Sequence, residues 1–347
     1  MASSGKSFFV PHRRALLIGA GAAAITATVT ACDRTQAPVD EDGRVRLRFA
    51  TDGRAQATHG GFYQALASGA YETRGLTVQI IQGGPGGDVP QRLANTSVEL
   101  GLASSSFLPM NLVAQGAPVK AVAAFFQKDP QVLIARPEPA VEGIAGLVGR
   151  PLFLSDSARD TVWLWLRATY GFTDDQLQRL EDGDLAPFLA AREAVLQGEL
   201  TRDVAAVQSA ARFEPRVLML ADEGYPSYGA MVLSTDAFAR DNAAALRGFI
   251  AASVEGWRDY IQGDGRAADT LIRQANPDMT QADLDQARAA LRTNSVVNGG
   301  DAALYGLGAM TAERWQAFFE VMSQAGLYPA DLDWRRAFTT QYLPGRD

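Results

Sequence analysis

The regular alternation of strand-like and helix-like segments most constrains the fold of this chain. Residues 45–50 alternate apolar and polar side chains, as a half-buried strand does, and a helical pattern follows from 59 to 69. Further strands are predicted at 76–81, 100–103 and 119–126, with helical patterns between them. Strands that alternate with helices at this spacing indicate βα units and a mostly parallel sheet.

A second set of βα units follows the segment Pro137-Glu138-Pro139. Its predicted strands and helices are strands 151–154, 199–201 and 217–220, and helices 158–170, 186–197 and 203–211. The chain then returns to the first sheet near Met231 and ends in helices predicted at 237–262, 267–274, 281–293 and 312–324. Two α/β sets with a helical tail predict two lobes joined by two crossings. Ligands of such sheets sit at the carboxyl ends of the strands.

The N-terminal residues predict export and lipid attachment. Basic side chains, including the pair Arg13-Arg14, precede an uncharged run from 15 to 31 that stops at Cys32. The run is too short and too weakly apolar to span a bilayer core of about 30 Å, but it suits a signal peptide. The sequence Val-Thr-Ala-Cys that ends at Cys32 resembles a lipobox, and the arginine pair resembles a twin-arginine signal. Either the general secretion route or the twin-arginine route fits.

These features divide the chain into four expected parts. Residues 1–31 are predicted to be a signal peptide, and 32–45 a tether that is lipid-anchored at Cys32. The first lobe comprises 46–137 and 228–347, with the C-terminal helices, and the second lobe comprises 138–227. The mature protein is expected to be a monomer, in the periplasm or on the outer face of the cytoplasmic membrane.

Composition excludes several classes of function. The net charge is −7, and the first 31 residues carry three basic and no acidic side chains, so the mature chain is still more acidic. Such a chain has no general attraction to nucleic acid. After the signal, His59 is the only histidine and Cys32 the only cysteine, so no His/Cys metal cluster forms. No Walker loop, nucleophile elbow or dinucleotide fingerprint follows a strand, so no cofactor is expected.

Polar and aromatic side chains at the predicted strand ends are the candidates for holding a ligand. In the first lobe they are Asp52, Arg54, His59, Gly84, Pro85, Ser104 and Ser105; in the second lobe and at its exit they are Asp156, Thr161, Trp163, Glu199, Thr201, Asp203, Tyr225 and Tyr228. The serines have a second interpretation, since they can satisfy the free amides of a helix start. The acids can be exposed or capping residues, and His59 can be structural.

Several segments resemble the binding proteins for thiamine pyrimidine precursors. They are 51–65, 83–85, 126–131, 220–228, 308–311 and 333–335. Those proteins belong to a substrate-binding superfamily with riboflavin-, sulfonate- and nitrate-binding members and the yeast-type enzymes that make the thiamine pyrimidine. The resemblance covers 46–343. It implies an α/β fold, a two-lobed periplasmic-binding-protein (type II) clamp, which delivers a small-molecule ligand to an ABC permease and its ATPase.

The chain departs from that family pattern at four positions. Gly53 stands where an aromatic side chain is usual, and Glu199, Arg202 and Asp203 replace Tyr, Ser and Glu. Flat apolar side chains are still expected to line the pocket, namely Phe62, Phe107, Trp163, Tyr225 and Tyr228. With nearby acceptors they favour a neutral or amine-bearing heteroaromatic ligand. Together with the resemblance this implies an aminopyrimidine, while riboflavin, another heterocycle or a sulfonate remains an alternative.

Two other classes of function remain open. An enzyme of the pyrimidine-synthesis type would use a histidine near the position of His59, although an export signal argues against such cytosolic chemistry. A ligand-sensing subunit without a transport role is the other alternative.

Overall fold

A computed structural model describes residues 36–84, 88–137, 142–181 and 183–345. These described residues belong to one compact unit that contains two five-stranded sheets. The strands are β1 (Val45–Ala50), β2 (Leu76–Ile81), β3 (Leu100–Ala103), β4 (Val119–Phe126), β5 (Gln131–Ala135), β6 (Leu152–Leu154), β7 (Leu177–Arg179), β8 (Val195–Glu199), β9 (Arg216–Met219) and β10 (Gly229–Thr235). The predicted α/β class is confirmed.

Thirteen α-helices flank these sheets among the described residues. They are α1 (Gly60–Ala67), α2 (Val89–Ala94), α3 (Phe107–Ala114), α4 (Asp156–Arg159), α5 (Val162–Tyr170), α6 (Ala186–Ala190), α7 (Asp203–Ala210), α8 (Asp236–Asp241), α9 (Ala243–Gln262), α10 (Arg266–Ala275), α11 (Gln281–Thr293), α12 (Ala302–Tyr305) and α13 (Ala312–Gln324). No helix in the described ranges is long and apolar enough to cross a membrane.

The two sheets have the same strand arrangement. Their orders are β2-β1-β3-β10-β4 and β7-β6-β8-β5-β9. In each sheet the first three strands are parallel, and the fourth is antiparallel to both of its neighbours. That fourth strand, β10 or β5, is the one that arrives from the other sheet. Each crossing therefore contributes a strand to the interior of the sheet that it enters.

The first crossing comes earlier than the sequence predicted. Residues 131–135 were assigned to the first lobe, but they form β5, which pairs with β8 and β9 of the second sheet. The chain thus crosses at 127–130 and crosses back at 220–228. We call the sheet that contains β1, with its helices, the first lobe, and the sheet that contains β6 the second lobe.

The helix predicted at 186–197 is wrong over its second half. Helix α6 ends at Ala190, and Val195–Glu199 is a strand of the second sheet. Val195 and Leu196 are fully buried between β6 and β5, so tertiary pairing overrides a sequence that has good helix formers. The long helix predicted at 237–262 is likewise two helices, which meet at Asn242.

The first lobe is held by unusually close packing between α1 and α9. A Cβ on Gly256 would lie 2.1 Å from the Gly61 carbonyl oxygen, and one on Gly61 would lie 2.1 Å from the Trp257 ring. Only glycine permits this approach. The Trp257 ring meets Phe62 edge-on at 5.7 Å, and Phe62 lies 4.7 Å from Phe49 of β1. This aromatic cluster fixes the first sheet and thereby the ends of its strands.

Candidate functional site

A cleft opens where the carboxyl ends of strands from both sheets meet the crossings. Its larger part, the main cleft, has a volume of about 660 Å³. A smaller part, the inner chamber, has a volume of about 120 Å³ and lies against the first lobe. Ser104, Asp129, Gln131 and Glu199 line both parts, so the two spaces share one polar wall.

Eight of the predicted site residues line this cleft. They are Asp52, His59, Ser104, Ser105, Thr161, Glu199, Asp203 and Tyr225. They come from the ends of β1, β3 and β8, the starts of α1, α5 and α7, and the second crossing. Strand ends of both lobes thus converge on this cleft, and the ligand-binding role of these residues stays a prediction.

Two charged residues that were predicted to contact a ligand lie outside the cleft in exposed ion pairs. Arg54 contacts Asp278 at 2.6 Å, and Asp156 contacts Arg179 at 3.1 Å. Exposed pairs of this kind contribute little to stability. Gly84 does not line the cleft either, and nothing lies within 4 Å of where its Cβ would be. Pro85 and Cys32 lie outside the described residues.

Three of the five aromatic side chains expected in the pocket belong to the core instead. Trp163 is buried and packs edge-on against Phe172 at 6.1 Å. Phe62 packs between Phe49 and Trp257 in the aromatic cluster of the first lobe. Tyr228 is buried and donates a hydrogen bond to Asp301. Phe107 and Tyr225 do line the main cleft, so its walls offer less flat apolar surface than the sequence predicted.

Asp129, on the first crossing, is a buried carboxyl group of the cleft with a strongly raised pKa. It is only 1 % exposed, and its Oδ1 accepts a hydrogen bond from the Gln131 amide at 3.2 Å. Its Oδ2 is buried and has no hydrogen-bond partner among the described residues. Burial raises the pKa of Asp129 to about 7, because the hydrogen bonds and the charge of Arg314 compensate only in part. Asp129 therefore exists in both protonation states near neutral pH.

Glu199, at the end of β8, is the second-lobe carboxyl group of the wall that the two cavities share. Its carboxylate accepts hydrogen bonds from the Thr201 amide, at 3.3 Å, and from the Thr201 hydroxyl. Burial raises the pKa of Glu199, and these hydrogen bonds partly offset that rise. Thr201 does not line the cleft, so its role is to orient Glu199.

Asp203 supports the same wall from the first turn of α7. Its Oδ2 accepts a hydrogen bond from the Glu199 amide at 2.7 Å, and its Oδ1 pairs with Arg202 at 2.8 Å. A Cβ on Gly198 would lie 2.8 Å from the Asp203 Cβ, so glycine is required for α7 to start this close to β8. Asp203 thus fixes the backbone that carries Glu199.

Asp52 and His59 form a pair on the first-lobe side of the inner chamber. Nε2 of His59 lies 2.8 Å from Oδ1 of Asp52. His59 is 1 % exposed, and its Nδ1 has no hydrogen-bond partner among the described residues. A carboxylate accepts, so Nε2 carries the proton in the neutral imidazole and Nδ1 is an acceptor.

The sequence reasoning missed Asp129, Gln131 and Glu181 as site residues. Both Asp129 and Gln131 lie in the segment 126–131 that carries the family resemblance. Because the first crossing was predicted near residue 137, these two residues were expected inside the first lobe and not at the cleft. The Gln131 side chain accepts a hydrogen bond from Gln197 of the neighbouring strand. A polar Gln-Lys-Asp-Pro-Gln run between two buried strands was the signal that could have located the crossing.

Two sheets joined by two crossings, with a polar cleft between them, define the periplasmic solute-binding protein fold. The chain belongs to the family described as "NMT1/THI5 like", whose model matches residues 56–267. It is 26% identical over 291 residues to the riboflavin-binding protein RibY of Chloroflexus aurantiacus, which covers 82% of each chain.

Solved structures share this fold at low sequence identity. The periplasmic aliphatic sulphonate binding protein SsuA of Escherichia coli matches with a TM-score of 0.57 and 18% identity, over 84% of this chain and 96% of that chain. The desulfurization enzyme DszB matches with a TM-score of 0.52 and 12% identity, over 86% of this chain and 97% of that chain. The fold alone therefore does not separate binding from catalysis.

Proposed function

We propose that this chain is the solute-binding component of an ABC importer and captures a small heteroaromatic solute without net negative charge. The observation that carries the proposal is the acidic, acceptor-rich wall of the cleft between the two sheets. Hinge closure would place that wall around the ligand, and the closed form would dock on the permease. The family and the fold support this class of function.

The charge of the cleft favours a neutral or cationic ligand. Five carboxyl groups line it, namely those of Asp52, Asp129, Glu181, Glu199 and Asp203. Arg202 is the one arginine or lysine that lines it among the described residues, and it is paired with Asp203. A sulfonate would have to give up its hydration for a wall that repels it. A sulfonate is therefore disfavoured, although SsuA shares the fold.

Riboflavin and an aminopyrimidine are the two ligands to compare first. The similarity to RibY supports riboflavin, as does the volume of the main cleft, which falls in the usual range for ligands of that size. The aminopyrimidine is supported by the resemblance of segments such as 126–131 and by the carboxyl groups, which can accept hydrogen bonds from its amino group.

One specific observation favours the alternative that the protein is an enzyme, namely the contact between His59 and Asp52. An oriented imidazole beside a carboxylate is an arrangement that general bases use. The same contact also fixes a histidine for ligand recognition. We expect recognition without turnover, since the relative RibY and the structural neighbour SsuA are both binding proteins.

Calorimetry with the purified protein tests the proposal. We expect riboflavin, hydroxymethylaminopyrimidine or formylaminopyrimidine to bind at least about a hundredfold more tightly than taurine, a difference of about 2.7 kcal/mol. Mass spectrometry of the co-purified ligand and of the ligand after incubation identifies the solute and detects turnover. Tighter binding of taurine, or steady formation of a product, would overturn the proposal.

We also propose that the protein is exported and held at the membrane by a lipid on Cys32. The basic N-terminal stretch, the uncharged run that follows it and the lipobox-like tetrapeptide support this localisation. The genes beside its own offer a simple check, because a neighbouring permease and ATPase are expected for an importer and not for a sensing subunit.

A further inference from the structure

Two side chains that line the inner chamber carry buried atoms without a hydrogen-bond partner among the described residues. These are Nδ1 of His59 and Oδ2 of Asp129, on side chains that are each 1 % exposed. Buried polar groups without partners are rare, because each costs free energy comparable to a lost hydrogen bond. Eight other buried side-chain atoms of the described residues also lack a partner, but these two belong to side chains that line the same chamber, which points to a ligand as their shared partner.

The surrounding contacts leave these two atoms as acceptors. Asp52 occupies Nε2 of His59, which leaves the lone pair at Nδ1. The nearby Ser227 hydroxyl lowers the pKa of Asp129, but its single proton is directed to the Tyr228 carbonyl at 2.9 Å. Oδ1 of Asp129 is already used by the Gln131 amide. Oδ2 is therefore the atom of this carboxyl group that remains for a ligand.

The size of the chamber limits what can enter it. Its volume of about 120 Å³ exceeds the roughly 30 Å³ that one water occupies in the liquid, but it is far smaller than the main cleft. Leu102, Phe126 and Ala230 supply apolar surface around the polar atoms. The chamber suits one edge of a ring with its substituent, while the rest of the ligand lies in the main cleft.

We infer that the inner chamber is a donor-selective subsite, in which Asp129 and His59 accept hydrogen bonds from an N–H-bearing edge of the ligand and exclude analogues that lack those donors. This inference rests on the proposed function and specifies which ligands the cleft takes. The selectivity has a physical basis: an analogue without the donor would leave two buried acceptors unpaired.

The subsite predicts a pH dependence of binding. Burial raises the pKa of Asp129 to about 7, and its carboxylate form is the one that accepts. The charged and titratable groups that act on it are Glu199, Arg314 and Tyr225, and His59 and Asp52 lie across the chamber. If only the carboxylate form binds, affinity rises about tenfold from pH 6 to pH 8.

Matched ligand pairs test the inference. The probes are hydroxymethylaminopyrimidine against its analogue without the amino group, and riboflavin against N3-methylriboflavin. For the pair that the wild-type protein recognises, we expect the donor-bearing member to bind at least tenfold more tightly. Asp129→Asn and His59→Phe should each reduce that preference to less than threefold. Asp278→Asn, an exposed carboxylate on the same lobe, is the control and should leave it unchanged.

The outcomes separate the subsite from the proposed function. Equal binding of both members of a pair by the wild-type protein overturns the subsite while the solute-binding function stands. A preference that survives both substitutions does the same. Binding of none of these heterocycles overturns the function and the subsite together. If a variant does not fold, the wild-type protein is measured over a series of pH values instead. From pH 6 to pH 8 its affinity for the donor-bearing probe must rise, and its affinity for the analogue must stay constant.

Discussion

The hydroxyl of Ser106 accepts a hydrogen bond from the backbone amide of Tyr228 at 3.0 Å. In return, the Ser106 amide donates to the Ser227 hydroxyl at 3.2 Å. Ser106 stands at the N-cap position of α3, but its side chain makes no capping bond to that helix. These two hydrogen bonds instead connect the start of α3 to the second crossing, so they fix the position of the crossing relative to the first lobe.

Replacing Ser106 by alanine should therefore destabilise the protein. The buried Tyr228 amide would lose its acceptor, which costs about 1–3 kcal/mol in the free energy of unfolding. Ser105→Ala, at a half-buried neighbour that lines the main cleft, should change it by less than about 0.5 kcal/mol. Denaturant titration of both variants measures the difference, and equal effects would contradict the anchoring role.

Asp129 should make stability fall as the pH rises. Its pKa is raised by burial from 3.8 to about 7, so the folded state binds this proton more tightly than the unfolded state. Its contribution is complete below about pH 4 and is lost as the pH rises through 7. Between pH 5 and pH 8 the loss is roughly 2–3 kcal/mol.

The Asp129→Asn variant isolates this contribution. Its unfolding free energy should decline less between pH 5 and pH 8 than that of the wild type, whereas Asp278→Asn should follow the wild type. Chemical denaturation at a series of pH values provides the measurement. Parallel curves for wild type and Asp129→Asn would show that Asp129 titrates normally.

Asp203→Asn should keep the fold and weaken ligand binding. An asparagine can still accept from the Glu199 amide, but it loses the charge that pairs with Arg202. We expect a loss of about 1.5–3 kcal/mol, typical for a hydrogen bond with a charged partner. Asp156→Asn is the matched control, because Asp156 lies in an exposed pair outside the cleft. Calorimetry should show full affinity for the control, and full affinity for both variants would remove Asp203 from the site.

Ligand should close the two lobes on each other. The cleft lies between two sheets that are joined by the crossings 127–130 and 220–228, so a ligand that contacts both sides favours the closed form. Small-angle scattering should report a smaller radius of gyration on addition of the bound heterocycle. Stability should rise by about 2.7 kcal/mol at a hundredfold excess over the dissociation constant. An unchanged radius at saturation would argue for a rigid site.

Cys32→Ser should release the protein from the membrane or block its processing. Serine has no thiol for lipid attachment, so the lipobox-like sequence could no longer be modified. Membrane fractionation and the mobility of the mature protein on a gel check the outcome. A variant that stays in the membrane fraction with unchanged mobility would rule out a lipid anchor at Cys32.

The local sequence determined the α/β class and most elements, because apolar periodicity and turn residues act over a few neighbours. Strand β2 and helices α11 and α13 were predicted with the bounds that the structure shows. The eight residues that line the cleft were predicted for the same local reason, since parallel strands bring their carboxyl ends to one edge of a sheet.

Only the tertiary structure decided which strand enters which sheet. Residues 131–135 and 195–199 form buried strands that pair with each other across 60 to 68 positions of the sequence. That pairing moved the first crossing to 127–130 and thereby buried Asp129. The shifted pKa and the unpartnered Oδ2 of Asp129 follow from burial, a property of the packed chain that no local pattern encodes.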